Sequence, residues 1–218
     1  MAARDRPVTL AYGGLVRAVP WWGVFSSATA PVLLIGGWTL ADALQPRSFD
    51  PVRQSVSSLA RTGAADRWVM TAAFVLVAAC YIATGLALRP AASAGRLVLA
   101  AGGLAGVLVA ANPEAVAGSF SFAHALWAGV GFAFLTAWPL AASQRDPSAP
   151  WGLRPVIAIG AVFVIAALLA WFVVELVSGG GQLGLAERLL GIAQVIWPLL
   201  VVLSCRVDRF RWARAPER

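Results

Sequence analysis

Arg53, Ser57, Arg61, Glu114, His124, Glu175, Glu187 and Arg188 are the residues whose side chains could do chemistry in this chain. Arg53, Ser57 and Arg61 recur at every fourth position, so a helix would set them on one stripe. Two guanidinium groups on one stripe can hold a phosphate or carboxylate, because Arg binds oxyanions through paired N–H groups. Together the set holds acids, one imidazole, a hydroxyl and guanidinium groups. One chemistry open to it is the binding of a lipid headgroup or small anion. The other is acid–base catalysis by His124 in a membrane-embedded hydrolase or transferase acting on a lipid. Ser57, His124 and Glu114 have the residue types of a nucleophile, base and orienting acid. Beside both stands a plainer reading, in which the charges are solvated or structurally paired and His124 bonds a neighbouring helix.

Six long apolar segments must position these groups: 22–41, 68–88, 97–111, 123–140, 156–176 and 189–205. A bilayer core about 30 Å thick needs roughly 20 apolar residues per helix. Five segments reach that length, and residues 94–96 carry the third to the interface. The chain is 60% hydrophobic and 12% charged, which a soluble domain could not be. The sequence therefore predicts an all-α polytopic bundle of six transmembrane helices spanning 19–205. A segment 1–18 precedes it and a basic tail 206–218 follows. The bilayer is its first partner. All 17 basic residues are Arg, and the net charge of +7 follows from topology, so no nucleic-acid partner is implied. With six spans, twelve Arg fall on the side of the termini and five on the other. The positive-inside rule then places both termini in the cytoplasm of a cell bound by this plasma membrane.

Several chemistries are excluded. The single His cannot ligate haem from two sides or build a His-rich zinc site. The phosphate-cradling and nucleophile-elbow motifs are missing. No metal and no cofactor is implied. Cys80 and Cys205 fall within spans, where an oxidising compartment could not pair them.

Trp residues mark segment ends: Trp21, Trp22, Trp138, Trp151 and Trp212 on one side, Trp38, Trp68 and Trp127 on the other. Gly102 and Gly106 form a G-x-x-x-G. It serves either close packing within the chain or a homo-oligomer face. Gln194 is the main polar residue at mid-span. In the loop 42–67, Asp50-Pro51 reads as a helix start and Gly63 as a stop. Between them Val52, Val56 and Leu59 share a face, which predicts a short amphipathic helix over 51–61 at the outer interface.

The stretch from Gln45 to Ala60, with Phe49-Asp50-Pro51 followed by Ser55, Ser57 and Ser58, resembles the outer-loop signature of a prokaryotic six-helix membrane family. That family is known only as domain of unknown function 998. Asn112-Pro113-Glu114 and His124 fit the same pattern, and the resemblance covers roughly residues 20–205. It implies a six-helix fold and no particular activity.

Overall fold

Apolar runs fold as helices in a bilayer because every backbone N–H and C=O then bonds within its own segment. The computed structural model describes residues 18–46, 48–116 and 120–212. Among these, six helices are long and apolar enough to cross a membrane. They are α1 (Trp21–Ala43), α2 (Trp68–Ala87), α3 (Ser93–Ala111), α4 (Phe122–Ala142), α5 (Pro155–Ser178) and α6 (Leu183–Trp212). No strand occurs among the described residues. Residues 1–17 and 213–218, which take most of the segment 1–18 and the end of the tail 206–218, lie outside the described residues, as does Arg47.

Local chemistry sets the boundaries. Pro155 stands at the first position of α5, where its missing N–H costs nothing. Gly179 ends that helix with φ +65°, a left-handed cap that a side chain would strain. The Ser121 side chain caps α4 by accepting the His124 N–H. Pro113 follows the cap of α3, where no helix could continue. The largest departure from the apolar pattern is α6. It starts at Leu183, ahead of residue 189, so Glu187 and Arg188 lie inside the helix rather than at its mouth.

Consecutive helices pack against each other, and α6 returns to α1 to close the bundle. Helix α3 is the spine. A Cβ on Gly95 would strike Ala142, one on Gly102 would meet Leu135, and ones on Gly103 and Gly106 would meet Ala78. The G-x-x-x-G therefore packs within the chain, against α2 and α4. Trp38 and Trp138 are buried against neighbouring helices, and Trp138 is fully enclosed. Trp21 and Trp68 are exposed as interface residues should be.

The short helix of the long loop is smaller than its apolar spacing suggests. Asp50 does start a turn: its Oδ1 accepts the Val52 N–H at 2.9 Å, and its carbonyl accepts from Arg53 and Gln54. That turn stops at Gln54. A 3-10 turn, Ser57–Ala60, then follows. Val56, Leu59 and Ala60 are buried, but Val52 is 44% exposed. The break has a cause. Side chains of α6 capture the backbone of 51–56 and replace the helical bonds there, and the Ser55 hydroxyl takes the Ser58 N–H at 3.0 Å. The stripe of Arg53, Ser57 and Arg61 is therefore not built.

Candidate functional site

The loop residues 48–67, 112–116 and 179–182 share one end of the bundle. There a cavity of about 600 Å³ lies between the Ser57–Ala60 turn, the start of α4, the last turns of α5 and the start of α6. Its polar wall carries Ser55, Ser57, Arg61, Glu114, His124 and Glu187. Its apolar wall carries Phe120, Phe132, Phe172 and Leu176. Phe120 and Leu176 are exposed, so the cavity reaches the surface beside the apolar face of α5.

Two backbone contacts assemble the polar wall. The Thr62 N–H donates to the Glu114 carbonyl at 3.1 Å and ties the two long loops together. That bond brings Arg61 beside Glu114. Asn112 closes α3 by donating its side-chain amide to the Leu108 carbonyl, and its own carbonyl meets His124 Nδ1 at 3.0 Å. A carbonyl can only accept, so Nδ1 carries the proton. Nε2 is left facing Glu114 Oε1 at 3.8 Å. His124 is 7% exposed and is fixed both by this ring contact and by the Ser121 cap.

Burial pushes the Glu114 carboxyl above its ordinary range, against the pull of His124, Arg61 and the Ser55 hydroxyl. A Glu114 proton is thus held more tightly than in water.

The other sequence candidates do different work. Ser57 donates to Glu187 Oε1 at 3.2 Å, and the Val56 N–H donates to Glu187 Oε2 at 2.7 Å. Ser57, His124 and Glu114 therefore form no relay: the Ser hydroxyl turns to Glu187, and the ring nitrogens face Asn112 and Glu114. Arg188 is a structural clamp. Its guanidinium donates to both Asp42 carboxylate oxygens at 3.0 and 3.1 Å, and to the carbonyls of Pro51, Gln54 and Gly184. It also sits 5.9 Å over the Trp38 ring. Glu175 holds the α5–α6 turn, accepting from the Gln182 N–H and the Trp171 indole. Arg53 is 74% exposed beside Asp50 and does not line the cavity. Of the eight, only Ser57, Arg61, Glu114, His124 and Glu187 reach the cavity.

Reading the sequence missed Ser55, the aromatic wall and the pairing of Asp42 with Arg188. The last had no local signal, because its partners are 146 positions apart. Among the described residues, no three His, Cys, Asp or Glu side chains gather to hold a metal.

Compared with known protein families, residues 27–204 match the family described as Protein of unknown function (DUF998). No curated protein and no solved structure matches the chain.

Proposed function

We propose that this chain, which belongs to the membrane family described as Protein of unknown function (DUF998), binds the headgroup of an anionic phospholipid in its loop-end cavity. One observation carries this reading: Arg61 and Glu114 from two loops and His124 from the first turn of α4 converge at one end of a cavity whose other wall is Phe120, Phe132 and Phe172. Pockets between membrane helices that combine a guanidinium with an apolar wall suit a lipid phosphate and its chains. Arg61 supplies donors for the phosphate, and the His124 ring lies beside it on the same wall. Glu114 and Ser55 supply partners for headgroup hydroxyls, as in phosphatidylglycerol. The aromatic wall favours a lipid over a free anion, because a small anion leaves that wall dry and empty.

The orientation is part of the proposal. Twelve Arg on the side of the termini support a cytoplasmic placement of both, and the cavity then faces outward in the plasma membrane. A cysteine placed at Ser48 should react with an impermeant thiol reagent in intact cells; protection until the cells are lysed would reverse the assignment.

Lipid carriage tests the site. Purified wild-type protein should retain phosphatidylglycerol through detergent washing, and Arg61→Ala should lose most of it while unfolding at the same temperature. Inorganic phosphate in excess should not displace the lipid; displacement would mean that a free anion is the ligand. Retention should rise as pH falls, because protonating Glu114 removes a negative charge beside the phosphate. Burial raises the Glu114 pKa, so that rise should come at a higher pH than for an exposed glutamate.

A further inference from the structure

A second, deeper hollow of about 120 Å³ lies inside the bundle, between α1, α2, α3, α4 and α6. Ser57, Ala128, Phe132 and Glu187 line both this chamber and the outer cavity. The two are therefore neighbours across a neck formed by those four side chains. The chamber wall is apolar almost throughout, with Leu34, Val77 and Leu135 among the residues facing it. Its amide-bearing residue, Gln194, reaches the Phe132 carbonyl and the Thr136 hydroxyl at 3.4 and 3.5 Å. Glycines create the space. A Cβ on Gly131 would make only ordinary contact with Ala105, and one on Gly191 only with Leu34 and Trp38.

An apolar hollow of this kind stays dry, and its lining gains dispersion contacts when hydrocarbon fills it. Its size is close to the ~150 Å³ at which an engineered apolar cavity takes a benzene molecule. That is room for the end of one hydrocarbon chain. We infer that the chamber receives the terminal methylenes of an acyl chain, threaded past Phe132 and Glu187 from a lipid whose headgroup lies at Arg61 and His124. The inference rests on the headgroup reading above and adds to it where the tail goes. The chain end turns into the protein, not out along α5 into the bilayer. The site then selects lipids by chain length as well as by headgroup, because a chain too short leaves the chamber empty.

The test uses phosphatidylglycerol carrying a diazirine at the end of one acyl chain, and a second probe with the diazirine on the headgroup. Both are reconstituted with the full chain in vesicles and photolysed, and the adducts are mapped by mass spectrometry. Chain-end adducts are expected at Val77, Leu135 and Gln194, which are buried and out of reach of bulk lipid. Ala128→Leu, which narrows the neck, should abolish these adducts while headgroup adducts near Arg61 persist. Chain-end adducts confined to exposed α5 residues, with headgroup adducts intact, would overturn the chamber and leave the headgroup site standing. Loss of specific adducts from both probes in the wild type would overturn both.

Discussion

Replacing Arg188 by Ala should destabilise the protein by about 3 kcal/mol, because several hydrogen bonds to a charged group are lost from a part-buried ion pair. The guanidinium joins three parts of the chain. It pairs with Asp42 near the end of α1, accepts the Trp38 ring as a face to lie on, and bonds the carbonyls of Pro51 and Gln54 in the long loop. Truncation leaves the Asp42 carboxylate and two loop carbonyls without this donor. Arg188→Lys should recover only part of the loss, because an ammonium cannot reproduce the planar fork. Asp42→Asn should also destabilise, and the double variant should lose less than the sum of the two singles, as contacting partners do. Denaturation in detergent measures all four. A loss below about 0.5 kcal/mol for Arg188→Ala, the range of ordinary surface changes, would mean that the clamp contributes nothing.

The second large effect is at Glu187. Its carboxyl accepts the Val56 N–H and the Ser57 hydroxyl, both in the buried part of the loop. Glu187→Ala removes both acceptors at once. With roughly 1.5 kcal/mol or more for each hydrogen bond to a charged group, the combined cost should be about 3 kcal/mol. Glu187→Gln keeps the shape and one acceptor oxygen, and should cost about half as much. The same substitutions should expose the Ser57–Ala60 turn to proteolysis, because Glu187 accepts both the Val56 N–H and the Ser57 hydroxyl at its start. An equal, small effect of Ala and Gln would show that the turn stands without Glu187. Arg53→Ala serves as the comparison: an exposed charge contributes little.

The six helices were legible because length and apolarity decide them, and no long-range contact can override an apolar run of about 20 residues in a bilayer. Glu114 and His124 were legible for a local reason. Pro113 ends one helix and Ser121 caps the next, which places both residues at one end of the bundle. The roles of Glu187 and Arg188 were hidden because the apolar run begins only after them. Their partners at Asp42, Pro51, Gln54 and Val56 are more than 130 positions away. The spacing of Arg53, Ser57 and Arg61 suggested a common face, but that argument assumed a continuous helix. Bonds from α6 ended the helix at Gln54, which sent Arg53 to the surface and Ser57 to the interior. Glu175 stood among the candidate site residues and holds a turn. The aromatic wall was unreadable, since phenylalanines in apolar helices carry no mark of which face they line.

The amount of phospholipid carried by the purified chain tests the lipid site most directly. Native mass spectrometry of the wild type, after extended detergent washing, should show phosphatidylglycerol bound to the chain. Arg61→Ala, folded and of unchanged thermal stability, should show almost none. Equal carriage by the wild type and Arg61→Ala, or a wild type stripped as readily as the variant, would contradict a headgroup site built on Arg61, Glu114 and His124.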